Sequence, residues 1–266
     1  MKFFIIHEYN ATNGFFAKFN YILGELCVAD DKNLLPFIDY TTPTNIHDYT
    51  NTEVANEWEY CFIQKYNYDF VYNSKYEKSE CTGKEWYDAH EKIFRNKEVT
   101  KKLHDTYLKH VIVKPEIFNK INPEIKKYKT LGVHCRRSDM AGSHPDIALN
   151  YSTDTFYQKV EKVFKDNNFE KIYLATEEIE IFEVFKERFG NKLFYEDCFR
   201  IKQNESPVYK MDSRPLHRTL QQQEVLLDAL NLSKCDSFIC GISSVSHAVI
   251  FINGLKYKEV YYFDEI

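Results

Sequence analysis

Apolar and polar residues follow two recurring patterns along the chain, short runs typical of strands and longer stretches with helical spacing. In the first half, Lys2–His7 and Leu34–Tyr40 predict strands, and Phe15–Ala29 predicts a helix between them. Gly14 lies in the turn-rich loop before this helix, where backbone amides at the helix N-terminus could bind an anion. This order of strand, loop, helix and strand indicates a βαβ unit.

The second half is more regular and predicts strands that alternate with helices. The predicted strands are Leu131–Cys135, Lys171–Thr176, Lys192–Tyr195, Asp236–Gly241 and Glu259–Phe263. Thr153 or Asp154 can cap a first predicted helix, whose inner face is Phe156, Val160, Val163 and Phe164. The other predicted helices are Ile179–Phe189, stopped by Gly190, then Thr219–Cys235 and Ser243–Asn253. Such alternation predicts an α/β fold with a mostly parallel sheet covered by helices on both faces. Two halves of this kind would enclose a cleft.

The middle of the chain is less regular. Thr41–Thr82 is rich in aromatic residues, and the rings between Trp58 and Tyr72 suit either a core or a sugar-binding surface. Lys84–Tyr128 has mostly helical spacing, and Pro115 and Pro123 are expected to break it into pieces. We expect this stretch to connect the two halves.

Composition narrows the class of protein. With 266 residues, 44% of them hydrophobic, the chain can form one large domain or two of roughly 130 residues. A net charge of −5 without a long basic run argues against nucleic acid as a partner. Seven cysteines with no Cys-x-x-Cys pair favour free thiols in a reducing compartment. Because the apolar run at the start is too short for a signal peptide or membrane span, we expect a cytoplasmic protein.

A basic cluster follows the strand Leu131–Cys135. His134 and Arg136 lie two positions apart and share one face of the strand, whereas Arg137 points the other way or lies at the strand exit. Asp139 and His144 come shortly afterwards. Ligands of open α/β sheets bind beyond the carboxyl ends of strands, and the planar donors of arginine suit phosphate oxygens. A buried histidine beside a surface arginine pair is the structural alternative.

Other polar residues follow strands that should end at the same edge of the sheet. Glu177 and Glu178 follow one strand, where they either contact a ligand or favour the dipole of the next helix. Ser243 and Ser244 begin a helix whose amides suit a diphosphate. Asp228 lies within an apolar helix and needs a partner, either a donor on a ligand or a core arginine.

Motifs for other nucleotide and metal chemistry are missing from the sequence. There is no Walker-type Gly-Lys-Ser/Thr loop and no Gly-x-Gly-x-x-Gly, which disfavours a dehydrogenase. No His-x-x-x-His or Asp-x-Asp pair predicts a metal site, so we expect no metal and no cofactor. Arginine and helix amides can stabilise a departing diphosphate without a metal ion.

Three motifs in order resemble the superfamily of GDP-fucose-dependent fucosyltransferases, which includes core α-1,6, nodulation-type, α-1,2 and protein O-fucosyltransferases. His134–Asp139 matches the motif His-x-Arg-Arg-x-Asp, and Ala175–Glu178 resembles a strand ending in Ala-Thr-Asp-Asp. Asp228, the strand that ends at Cys240 and the pair Ser243–Ser244 match the third motif. Order and spacing agree over roughly 120 residues.

The resemblance implies a GT-B-like fold, in which two Rossmann-like domains face each other across a cleft. Residues 1–128 would form an acceptor-side domain and residues 129–266 a nucleotide-sugar-binding domain. It also implies inverting, metal-independent transfer of fucose from GDP-fucose to a hydroxyl of a glycan or glycoprotein. Arg136 would bind the β-phosphate and Asp228 would read the guanine edge. His134, Ser244, Glu177 and Glu178 would contact other parts of the donor.

The chain departs from the family pattern after the first motif. Met140 stands where the core α-1,6 type has lysine, and the run that ends at His144 replaces that type's proposed glutamate base. His144 or Asp139 is therefore the candidate general base. The chain fits bacterial or viral surface-glycan synthesis better than a Golgi enzyme. The alternatives are a transferase that uses another GDP- or UDP-sugar and a non-catalytic nucleotide- or glycan-binding module.

Overall fold

The computed structural model describes residues 1–7, 14–41, 56–80, 95–136, 152–202 and 214–266. The chain forms two compact units. The first comprises Met1–Asn119, Asp212–Gln223 and Ile250–Leu255, and the second comprises Lys120–Met211, Glu224–Val249 and Lys256–Ile266. The division into functional domains at residues 128 and 129 stays a prediction. Across the described ranges, no helix combines the length and apolar character needed to cross a membrane.

The first unit contains a small parallel sheet. Its strands are β1 (Lys2–His7), β2 (Leu35–Asp39) and β3 (Lys75–Lys78), and β1 lies in the centre in the order β2-β1-β3. The first two strands were predicted to within one residue at each end. The third was not, because Lys-Tyr-Glu-Lys lacks the apolar run of a buried strand. One face of the sheet is apolar and packs against the segment that precedes β3.

Four α-helices are described between β1 and Asn119, the end of the first segment of this unit. They are α1 (Phe15–Asp31), α2 (Tyr68–Tyr72), α3 (Lys97–His110) and α4 (Pro115–Phe118). A 3₁₀ turn, Glu57–Tyr60, precedes α2. The predicted break at Pro115 is confirmed, and this residue forms the first position of α4, where the missing N–H is no loss. The predicted break at Pro123 is also confirmed, because a separate 3₁₀ turn, Pro123–Lys127, begins there.

The second unit contains a larger parallel sheet. Its strands are β4 (Thr130–Cys135), β5 (Lys171–Thr176), β6 (Leu193–Phe194), β7 (Ser237–Cys240) and β8 (Val260–Tyr262). They lie in the order β6-β5-β4-β7-β8, with β4 in the centre. The helices of this half of the chain are α5 (Thr153–Asp166), α6 (Ile179–Phe189), α7 (His217–Leu232) and α8 (Ser244–Asn253).

Helix ends in this half follow local chemistry. Ser152, and not the predicted Thr153 or Asp154, caps α5, because its Oγ accepts the N–H of Thr155 at 3.1 Å. Gly190 ends α6 with a φ of 52°, the left-handed conformation in which glycine is favoured. The predicted inner face of α5 is buried in the core against β4 and β5. The strands and the helix faces that cover them therefore share one core.

Candidate functional site

The strands around β4 end together at one edge of the larger sheet. In register, His134 on β4 lies beside Ala175 on β5 and Cys240 on β7. Because all three strands are parallel, the residues that follow them emerge at the same edge. Arg136 follows β4, Glu177 follows β5, and the turn to α8 follows β7. The structure thus brings His134, Arg136, Glu177, Ser243 and Ser244 to one edge, although the role of each stays a prediction.

His134 is held in a chain of hydroxyl groups behind this edge. Its side chain is buried, and its Nδ1 lies 3.2 Å from Ser246 Oγ. Ser246 Oγ lies 3.0 Å from Ser243 Oγ, and the Ser246 N–H donates to that same oxygen at 3.1 Å. Burial, followed by the charge of Arg136, lowers the pKa of His134 to about 3. His134 is therefore a neutral imidazole whose tautomer depends on Ser246.

Arg136 is the cation at this edge. Its Nε lies 3.7 Å from Oε1 of Glu177, which is an ion pair but too long for a good hydrogen bond. The two side chains are 21% and 19% exposed, so both are sheltered yet reachable from solvent. Guanidinium donors beside a helix N-terminus form an arrangement that binds anions such as phosphate.

The N-terminus of α8 faces the same edge. Ser243 caps the helix, because its Oγ accepts the N–H of Ser246, and the N–H of His247 bonds the Ser243 carbonyl. Ser243 and Ser244 are half-buried. Ser243 Oγ therefore has protein partners, and the first amides of the helix are the donors that suit an anion.

Asp228 has an internal partner. Tyr173 on β5 donates its phenol hydrogen to Asp228 Oδ1 at 2.7 Å, and Asn231 Nδ2 donates to the Tyr173 oxygen at 3.1 Å. Asn231 also donates to Glu196 Oε1 at 2.9 Å. Burial raises the pKa of Asp228 to about 7, although the Tyr173 hydrogen bond and the charge of Arg200 oppose the shift. The structure supplies a tyrosine as the hydrogen-bond partner and an arginine charge nearby, and the predicted ligand donor stays a prediction.

Glu178 and Gly14 are two further predicted residues that the structure describes. Glu178 is fully buried before α6, and its N–H donates to Thr176 Oγ1 at 3.2 Å, so of the acidic pair only Glu177 is partly exposed. Gly14 precedes α1 in the first unit, with a φ of −67° and a ψ of 160°. This is extended backbone, and a Cβ at Gly14 would have no neighbour within 4 Å. Nothing in the local geometry requires glycine there.

Arg137, Asp139 and His144 lie outside the described residues, so their predicted roles stay predictions. Within the described ranges, no three His, Cys, Asp or Glu side chains group closely enough to hold a metal ion. Sequence reasoning missed Ser246 and Tyr173. A serine three positions after a cap residue was the only local signal for the first, and Tyr173 looked like an ordinary core residue of a strand.

No protein-family model matches the chain, and no curated protein matches its sequence. Solved structures do match. Fucosyltransferase NodZ from Bradyrhizobium is 13% identical, with a TM-score of 0.54 over 99% of this chain and 96% of that chain. NodZ α-1,6-fucosyltransferase soaked with GDP-fucose is 13% identical, with a TM-score of 0.53 over 95% and 93%. POFUT1 in complex with GDP-fucose is 11% identical, with a TM-score of 0.51 over 98% and 97%.

At these identities the likeness establishes the fold. The chain has the mixed α/β, GT-B-like fold with parallel sheets of these fucosyltransferases. The predicted fold class and the predicted resemblance to GDP-fucose-dependent fucosyltransferases are confirmed at this level.

Proposed function

We propose that the chain is a glycosyltransferase that transfers fucose from GDP-fucose to a hydroxyl of a glycan or glycoprotein, with inversion and without a metal ion. The observation that carries the proposal is that Arg136 and the N-terminus of α8 emerge at the same edge of the sheet, where β4, β5 and β7 end. The fold shared with GDP-fucose-binding transferases supports it. Residues 129–266 would bind the donor, and residues 1–128 the acceptor.

Arg136 and the α8 amides would stabilise the leaving group. When the bond between the anomeric carbon and the β-phosphate oxygen breaks, negative charge develops on that oxygen. Donors already fixed around it need no reorganisation during the reaction. Glu177, 3.7 Å from Arg136, holds the guanidinium at the edge until the more highly charged diphosphate replaces it as partner.

Neutral His134 would contribute a hydrogen bond without adding charge. The low pKa of His134 keeps the imidazole uncharged near neutrality, and the hydrogen bond between its Nδ1 and Ser246 Oγ holds the ring in place. The acceptor hydroxyl would lose its proton to His144 or Asp139 as its oxygen attacks the anomeric carbon. This single displacement inverts the anomeric centre, and GDP leaves with the electron pair of the broken bond.

The test is the change Arg136→Ala, assayed by transfer and by donor hydrolysis. Removing a donor aimed at the leaving group should lower kcat by about 10²- to 10³-fold. Arg188→Ala is the matched control, because Arg188 also pairs with a carboxylate, Asp154 at 2.9 Å, but lies on α6 away from the edge. If the Arg136 variant turned over GDP-fucose as fast as the control, the assignment would be wrong.

Donor identity needs a separate measurement. At a concentration 100 times its dissociation constant, GDP should stabilise the protein by about 2.7 kcal/mol, and UDP by much less. An equal effect of UDP would move the donor to another nucleotide sugar. Binding of GDP without any hydrolysis or transfer would instead indicate a non-catalytic module. We also propose a cytoplasmic role in bacterial or viral surface-glycan synthesis, which rests on the sequence resemblance and the cysteine usage.

A further inference from the structure

The first unit carries a tyrosine whose ring is stacked on a neighbouring ring and is still well exposed to solvent. Tyr68, on α2, stacks on Tyr72 with ring centres 4.4 Å apart and an interplanar angle of 27°. Phe37 of β2 makes a T-shaped contact with the Tyr68 ring, with ring centres 6.0 Å apart. Tyr68 is nevertheless 47% exposed. Because Tyr72 covers one face of the Tyr68 ring, a ligand would reach the ring on the opposite face, which we call the open face.

A carboxylate fixes the phenol end of this ring. Asp39 is the last residue of β2, and its Oδ2 accepts hydrogen bonds from Tyr68 OH at 3.3 Å and from Tyr72 OH. Its Oδ1 accepts the N–H of Thr41 at 3.1 Å, which holds the carboxylate in place. Burial, with the charge of Asp39, raises the pKa of Tyr68 and of Tyr72, so both phenols stay protonated. Tyr76 extends the cluster, 41% exposed and with its ring 5.4 Å from that of Tyr72.

We propose that Tyr68, Tyr72, Tyr76 and Asp39 form a glycan-binding subsite in which a pyranose ring stacks on the open face of Tyr68. One flat apolar face matches the C–H face of a single sugar ring. The phenol oxygens at its rim keep lone pairs that can accept sugar hydroxyl hydrogens. Because the ring is already immobilised by Asp39 and Tyr72, binding would lose little side-chain freedom.

Other occupants fit the cluster less well. A stable protein interface buries about 1,200 Å² or more, far more than one ring face and its rim provide. A cation over the ring face would gain little from Asp39. This carboxylate lies at the rim of the ring and already accepts three hydrogen bonds. As an acceptor subsite, the cluster rests on the proposed transferase function, and it names carbohydrate as the ligand of the first unit.

The test is saturation-transfer NMR on the full chain. The probes are methyl glycosides of glucose, galactose, mannose and N-acetylglucosamine, with tetramethylammonium as a cation. We expect transfer to the C–H protons of at least one glycoside, and about tenfold weaker binding in Tyr68→Ala. Phe70→Ala is the matched control, because Phe70 lies on the same helix and is 48% exposed, but its ring packs on Phe3 and carries no hydroxyl group.

Each outcome decides the proposal. Loss of glycoside binding in Tyr68→Ala but not in Phe70→Ala supports it, and Tyr68→Phe should keep most of the binding because the ring remains. Absence of transfer to every glycoside, an equal loss in both alanine variants, or binding of tetramethylammonium alone would each overturn it. GDP binding by the wild-type chain is measured in parallel, so failure of the subsite is distinguished from failure of the donor assignment.

Discussion

Replacing Asp228 by asparagine should remove part of the pH dependence of stability. Burial raises the pKa of this carboxyl from 3.8 to about 7 in the folded state. The folded protein therefore holds a proton that the unfolded chain releases between those values, and the associated stability is lost as pH rises through about 7. A shift of about three pKa units corresponds to about 4 kcal/mol. Asparagine does not titrate. As pH rises through about 7, the stability of the variant minus that of the wild type should therefore increase by up to that amount.

Urea unfolding at about pH 4 and about pH 8 measures this difference. Asp154→Asn, a change at the exposed start of α5, controls for removal of a surface carboxylate. A stability difference between variant and wild type that stays flat with pH would refute the reasoning, because Asp228 would then titrate alike in both states. GDP affinity gives a second readout. If Asp228 reads the guanine edge, the variant should bind GDP about tenfold more weakly, even where it is more stable.

Three other substitutions test the local geometry. Ser246→Ala should lower the free energy of unfolding by about 1–3 kcal/mol in urea titration, because it leaves the buried Nδ1 of His134 without its hydroxyl partner. Gly14→Ala should change the melting temperature little, because the entropy gained where the backbone is extended and the surroundings are open is opposed by the poorer capping of α1 by alanine. Gly254→Ala should destabilise by about 2 kcal/mol or more, because its φ is 67° and a Cβ would collide with the His104 ring. A melting temperature for Gly254→Ala equal to that of the wild type would contradict the last prediction.

Local chemistry made much of the fold predictable. Lys171–Thr176 and Ile179–Phe189 were predicted with the bounds observed, since an apolar run and a terminal glycine mark their ends. The third strand of the first unit was missed because its side chains are polar and mostly exposed. This segment is a strand because it pairs with β1, which is far away in sequence. Its own composition does not favour a strand.

The candidate site was predictable in part for the same reason. That Arg136, Glu177 and Ser243 share an edge follows from the rule that parallel strands end together. Tyr173 was not recognised as the partner of Asp228, because 55 residues separate them and each signal alone was ambiguous. The contact between His134 and Ser246 spans 112 residues, and no local pattern in the chain encodes it.

The central position of β4 has a consequence for how the chain folds. The two strands that pair with β4 are synthesised after it. Hydrogen bonds at the start of β4 reach 41 residues along the chain on the β5 side and 106 residues on the β7 side. Such distant parallel pairings form slowly, since long loops must close before any contact rewards them. The edge that carries Arg136 therefore cannot be completed during synthesis until α8 has left the ribosome. Capture of GDP by nascent chains of increasing length would report the moment at which this unit finishes folding.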